Sequence, residues 1–239
     1  MTSPLPCAII VSHGQPSDPA PAEAVLAEFA GSVAKALPDW QITSATLANP
    51  GALDLALESS PTAPLIYPMF MSQGWFTQDH LRKRLGDHPA RVLPPFGVDP
   101  ALPQMAADLL RDVLARQGWT AQDTQMFIAG HGSGRSPNSA RDTHSFATAL
   151  ASLIAFREQR VGFVEQSPYL AETAEGLGPK SICLPFFAAR GGHVLDDIPQ
   201  ALNQTGFSGL RLDPIGCAPD APALVARALQ AAQRADIPA

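Results

Sequence analysis

One pattern occurs twice in this chain, and that repetition limits the fold more than any other feature. Residues 7–19 read CAIIVSHGQPSDP and residues 125–137 read QMFIAGHGSGRSP. Each is an apolar run, then His-Gly, then a polar loop closed by proline. His13 and His131 stand 118 positions apart, as do Pro50 of TLANP and Pro168 of VEQSP. PLIYPMFMSQGWF pairs with SICLPFFAARGGH, where Pro68 and Pro185 differ by 117. VLPPFGVDP pairs with RLDPIGCAP, where Gly97 and Gly216 differ by 119. Four segments in one order at nearly one offset mark an internal duplication.

Each copy reads as four strand–helix steps. In the second, strands are expected at 125–130, 160–165, 180–187 and 209–215. These are short continuous apolar runs, as parallel strands buried on both faces require. SARDTHSFATALASLIAFRE between them predicts a helix with Phe146, Leu150, Leu153 and Ile154 on one face. DAPALVARALQAAQR closes the chain in the same manner. The alternation predicts an α/β fold: two similar doubly wound parallel-sheet domains, 1–119 and 123–239, joined near residues 119–123, with a cleft between them. The segments SHG, EQSP, ARGGH and IGCAP all fall at carboxyl ends of strands, where such sheets bind ligands.

The six histidines divide by context. His88 in GDHPA reads as a solvated loop residue, and His144 in RDTHSF as a packed or surface helix residue. His131 in GHGSG and His193 in RGGHV each follow a strand and sit among glycines. A glycine backbone turns sharply there and admits a ligand closely. VLDDI then opens a helix with acids near its start, where the helix dipole favours them. Two imidazoles at strand ends of one unit suit a borderline divalent ion such as Co²⁺, Ni²⁺ or Fe²⁺. They also suit proton abstraction near neutral pH. The first copy keeps His13 but carries Phe76, next to Trp75, opposite His193; His80 follows one helical turn later. That copy reads as a degenerate site.

Bulk properties exclude some classes. The net charge of −6 argues against a nucleic-acid binder. No apolar run approaches the ~18 residues of a membrane-spanning helix. The opening MTSPLPCAIIVSHG has neither a charged n-region nor an A-x-A site, so no signal peptide is expected. Cys7, Cys183 and Cys217 are sparse and form no C-x-x-C, as reduced thiols of a cytoplasmic protein would be. Cys7 and Cys183 lie in strand-like runs and are expected in the core.

The segments HGSGRSP, EQSP, LPFFAARGGHVLDDIPQAL and DPIGCAPD, in that order, resemble the CbiX-type class II chelatases in their two-domain form. The resemblance covers the second half almost end to end and reaches the first half through the duplication. It implies a chelatase-like fold and a lyase that inserts a divalent metal into sirohydrochlorin or a similar tetrapyrrole. Such enzymes serve cobalamin, sirohaem or coenzyme F430 synthesis. Cobalt is the first expectation for the metal, with iron and nickel as alternatives. The metal is a substrate, and no organic cofactor is expected. The resemblance further implies that His131 and His193 bind the metal and relay pyrrole protons. Some relatives add a carboxylate near the position of Phe76; Phe76 cannot serve, and nearby Asp79 is the substitute on offer. The expected partner is a tetrapyrrole small molecule, with no nucleic acid and no membrane, bound by a monomer.

A polycarboxylate macrocycle calls for cations at the rim. Arg135 and Arg190 stand beside the two motifs, and Arg pairs carboxylates bidentately. Ser133, the backbone amides of Gly191 and Gly192, and His13 of the first copy are further candidate substrate contacts. Glu165 in VEQSP reads either as the partner that orients one imidazole or as a loop or capping residue. A histidine phosphatase would need RHG, where this chain has Ser12 before His13. A serine hydrolase elbow would need Gly two residues before Ser133, where His131 stands. The alternative from another class is a non-catalytic metal or tetrapyrrole carrier on the same fold.

Overall fold

Two four-stranded sheets, parallel throughout, organise the chain in a computed structural model that describes residues 4–74 and 79–235. Trp75 and Phe76 lie outside the described residues. The first sheet comprises β1 (Cys7–Ser12), β2 (Gln41–Thr46), β3 (Leu65–Pro68) and β4 (Arg91–Val92), in the order β2-β1-β3-β4. The second comprises β5 (Gln125–Gly130), β6 (Glu158–Phe163), β7 (Ser181–Pro185) and β8 (Leu210–Arg211), in the order β6-β5-β7-β8. The duplication is therefore present in topology as well as in sequence.

The helices are α1 (Pro19–Ala36), α2 (Ala52–Glu58), α3 (Leu81–Leu85), α4 (Leu102–Gln117), α5 (Asn138–Leu153), α6 (Leu170–Ala174), α7 (Ile198–Gln204) and α8 (Ala221–Ala235). Proline near the first position and a left-handed glycine after the last turn delimit α4: Pro103 supplies a helix-ready φ, and Gly118 closes at φ 64°.

All of β5 and β7 is buried, as the continuous apolar runs require. Alternate residues of β5 serve opposite faces. Phe127 and Ala129 pack with Leu170 and Ala174 of α6 and with Ile198 and Leu202 of α7. In the first sheet Ile9 and Val11 pack with Leu53 and Leu57 of α2 and with Leu81 and Leu85 of α3. Each Leu, Ile, Val or Phe among them, fully buried, contributes about 1.5–3 kcal/mol. Cys7 and Cys183 are core residues, and burial pushes the Cys183 thiol up to about 12.

Three expectations shift. β6 begins at Glu158 and ends at Phe163, so Glu165 stands beyond the strand, in the loop at its carboxyl end. β8 is only two residues long. In α5, Phe146 and Leu150 are buried but Leu153 is exposed, because the helix ends there and Ile154, in extended conformation, turns into the core instead.

The compact units also differ from the expected boundaries of 1–119 and 123–239. One unit is Met1–Phe96 with Asp220–Ala239, and the other is Gly97–Pro219. The last helix of each repeat is exchanged. α8 packs on α1 and β3, and α4 packs on α5, where Arg111 donates to the Leu153 carbonyl at 2.8 Å. An apolar helix stripe needs an apolar face to cover, and repetition supplies two equivalent faces.

Candidate functional site

In a sheet of order β6-β5-β7-β8 the chain departs from β5 to opposite sides, first to β6 and later to β7. The crevice at the carboxyl ends of such strands is where open α/β sheets bind ligands. His131 follows β5, Glu165 follows β6, and His193 follows β7. Three strand ends thus deliver three side chains to one place.

The two imidazoles meet edge to face, with ring centroids 4.6 Å apart and planes at 89°. Phe187, nearly buried, lies 6.3 Å from the ring of His131 and 6.2 Å from that of His193. It forms an apolar base under both. Glu165 Oε2 is 3.9 Å from His131 Nδ1. One ligand atom from each of His131, Glu165 and His193 lies within 4.8 Å of the others. All three side chains are at least 37% exposed, so an ion from solvent can reach them.

The loop carrying His131 is held by its backbone. Gly132 adopts φ +70°, and a Cβ there would stand 2.7 Å from Gln166 Cγ and 2.8 Å from Phe163 Cβ. Only glycine fits that turn. The Glu165 N–H donates to the His131 carbonyl at 2.9 Å, which places the acid beside the imidazole. The Ser133 N–H donates to Gln166 Oε1 at 2.8 Å. His131 Nδ1 lies 2.7 Å from the Gly132 carbonyl oxygen, which only accepts. The proton of that bond therefore sits on Nδ1, and Nε2 keeps its lone pair.

His193 opens a π-helical turn, His193–Asp197, and its Nδ1 lies 2.6 Å from Asp197 Oδ2. Gly191 and Gly192 are exposed and neither has a positive φ. No protein atom lies within 4 Å of a Cβ built on Gly191, and one on Gly192 would meet only Asp196 Oδ2 at 3.7 Å. Their backbone faces open space.

The remaining expected residues are placed as follows. The Ser133 hydroxyl accepts from the Arg135 and Ser136 N–H groups, both at 3.2 Å, and so caps its own loop. Arg135 is exposed and has no ion-pair partner among the described residues. Arg190 is engaged: its Nε and Nη2 donate to the two Asp213 oxygens at 3.0 and 2.7 Å. That guanidinium holds the Asp213 carboxyl below the usual carboxylate range. His13 belongs to the first unit, where its Nδ1 lies 3.1 Å from the Gly14 carbonyl oxygen. Asp79, the substitute carboxylate expected from the sequence, also belongs to the first unit; the acid grouped with the imidazoles is Glu165. His88 accepts from the Ala90 N–H within its loop, and His144 is exposed beside Phe163; neither is grouped with the cluster.

Sequence reasoning missed Phe187, Gln166 and Asp197. The doubled Phe after Pro185 and the acid four residues after His193 were the signals available.

Residues 125–232 match the family model described as CbiX. A solved structure described as CbiX, the terminal enzyme for biosynthesis of siroheme in denitrifying bacteria, is 43% identical. The match covers 95% of this chain and 99% of that one, with a TM-score of 0.86. SirB from Bacillus subtilis with Fe³⁺ shares the fold at 16% identity, over 97% of this chain and 98% of its own, with a TM-score of 0.71. A probable sirohydrochlorin cobaltochelatase from Halobacterium salinarum is 21% identical over 162 residues. That alignment takes in 56% of this chain and 55% of the archaeal protein, so the chain spans about half the length of that relative.

Proposed function

The chain belongs to the CbiX family of chelatases, and from that premise we propose that it inserts Fe²⁺ or Co²⁺ into sirohydrochlorin at the His131–Glu165–His193 cluster. The observation that carries this reading is the meeting of two imidazoles and a carboxylate, within 4.8 Å, at the carboxyl edge of the second sheet. Two nitrogens and one oxygen, with open positions left over, suit borderline divalent ions of the iron–cobalt–nickel series. Cobalt is the metal of the archaeal relative's name, and siroheme, the product of the 43% identical neighbour's pathway, is an iron tetrapyrrole. Both names support a sirohydrochlorin-type substrate.

Metal–nitrogen bonds of about 2.1 Å allow two ligands of one ion to be at most about 4.2 Å apart. The cluster is of the size that one ion can bridge, and Glu165 is exposed beside it.

Insertion exchanges one M²⁺ for two pyrrole N–H protons. Each proton needs an acceptor as a nitrogen lone pair turns to the metal. His131, His193 and Glu165 carry the acceptor atoms gathered at the site. General-base help of this kind is worth roughly 10²–10⁴ in rate. The polycarboxylate rim of the macrocycle meets Arg135, whose guanidinium has no ion-pair partner among the described residues, whereas Arg190 must first exchange Asp213 for a substrate carboxylate. The Gly191 and Gly192 backbone leaves open the space in which a flat ring would lie against the loop. The chain acts as a monomer in the cytoplasm, where its free cysteines stay reduced.

The test is metallation of sirohydrochlorin by Fe²⁺ and by Co²⁺, followed by absorption. Multiple turnovers above the uncatalysed rate, lost in His131→Ala and His193→Ala, are the expected result. Stoichiometric binding of macrocycle or metal without turnover would replace the enzyme reading with that of a carrier.

A further inference from the structure

We propose that Asp197 is a positioning residue for His193: its carboxylate accepts the hydrogen bond from Nδ1–H and leaves Nε2 as the nitrogen that faces the metal. The inference rests on the metal-site reading above and deepens it.

The contact is short, 2.6 Å from His193 Nδ1 to Asp197 Oδ2. An ionised carboxylate only accepts, so the proton resides on Nδ1 and the lone pair on Nε2. His131 reaches the same tautomer through a neutral backbone carbonyl. The two imidazoles are thus matched in the nitrogen they present and differ in what holds them.

The backbone is shaped for this contact. Between His193 and Asp197 the helix widens to a π turn, with the Ile198 N–H donating to the His193 carbonyl. Pro199 follows and has no N–H with which to continue the ordinary ladder. Single π turns recur at functional positions in helices. Val194 and Ile198 are buried in the core and fix the turn from below. His193 and Asp197 stay half-exposed on its upper side. Neighbouring Asp196 is exposed and lies over Gly192 instead, so the sequence pair Asp-Asp divides into one acid on the imidazole and one on the loop.

A carboxylate behind a ligating histidine sets ring orientation, and its loss typically lowers metal affinity about 10–100-fold. The experiment uses the full chain without tetrapyrrole. Histidine side-chain ¹⁵N spectra report the tautomer, and titration with Co²⁺ alone reports affinity. In the wild type, His193 carries its proton on Nδ1. In Asp197→Ala the two tautomers mix and the Co²⁺ Kd rises about 10–100-fold, with the melting temperature unchanged. Asp197→Asn keeps an accepting oxygen, and it restores the Nδ1–H tautomer and part of the affinity. Asp196→Ala behaves as wild type. An Asp197→Ala protein with the wild-type tautomer and wild-type Co²⁺ affinity overturns the proposal. So does a loss that tracks a lowered melting temperature and is not rescued by Asn. If His193→Ala itself binds Co²⁺ as tightly as wild type, the metal-site reading fails first, and the role of Asp197 with it.

Discussion

The loop after β1 and the loop after β5 have the same backbone and different chemistry. Both place His-Gly at the strand end, with the glycine at φ +76° in Gly14 and +70° in Gly132. Both aim histidine Nδ1 at the following carbonyl, at 3.1 and 2.7 Å. In both, the loop after the neighbouring edge strand, β2 or β6, returns a backbone N–H to the histidine carbonyl. That donor is Ala48 in the first unit and Glu165 in the second, at 2.8 and 2.9 Å. The hydrogen-bond register therefore pairs Glu165 with Ala48, one residue away from the pairing suggested by aligning Pro50 with Pro168. At the positions matching Glu165 and His193 the first repeat has Ala48 and Phe76, neither a carboxylate nor an imidazole. The backbone geometry of the loop is kept in both copies, while the side chains above it differ.

The largest expected effect concerns how the repeats are cut. The fragment 97–219 carries a complete sheet with both its helical layers and should melt cooperatively. The sequence repeat 120–239 lacks α4, whose Leu102 and Leu110 are fully buried, and should not. Circular dichroism melts of the two fragments decide this, and a cooperative 120–239 would undo the helix exchange.

Next come the histidines. Replacing His131 or His193 by Ala should lower metal insertion by roughly 10²–10⁴, while His13→Ala should leave Co²⁺ binding at the cluster unchanged. Equal losses from all three would erase the asymmetry. Glu165→Gln should weaken Co²⁺ binding by at least ~10-fold, and Ala48→Gln should leave it unchanged, by direct titration.

The glycines offer a matched pair. Gly14→Ala and Gly132→Ala should each destabilise by about 2 kcal/mol. Both put a Cβ 2.7 Å from a neighbouring side chain at positive φ. In a chain of this size that is a fall of roughly 4–8 °C in Tm. The losses should be similar, yet only Gly132→Ala should also lose activity.

The smallest effect is electrostatic. Glu158 accepts from Arg160 at 2.6 Å and from Gln125 at 2.7 Å, and the Arg160 hydrogen bond holds its carboxyl below the usual range. The matching positions of β2 are Gln41 and Thr43, with no charge. A depressed folded-state pKa gives stability that is present above the unfolded value, about 4.3, and lost as pH falls through the folded one. Because both groups are partly exposed, Glu158→Gln should cost about 1 kcal/mol or less at pH 6. Denaturation at pH 3 should show the gap narrowing.

Much of this was legible in residues. The repeat and the buried runs around Ile9 and Ile128 specify two parallel sheets, and glycine-flanked His131 and His193 stand out because strand ends are where such sheets act. Other features were hidden by their nature. The exchange of α4 and α8 leaves no mark, since an amphipathic stripe does not say which sheet it covers. Glu165 looked like a strand residue because VGFVE is apolar up to the acid, and only the hydrogen-bond register shows the strand ending at Phe163. In the sequence Asp197 is an acid at a helix start; the π turn that swings it to His193 depends on packing of Val194 and Ile198 as well as on the sequence VLDDIP.

The most direct test is the anomalous signal at the cobalt edge from crystals of the full chain soaked in Co²⁺. The account predicts one site per chain, about 2.1 Å from Nε2 of His131 and of His193, with a Glu165 oxygen in the coordination sphere. Cobalt bound at His13 instead, or equally in both repeats, would contradict it.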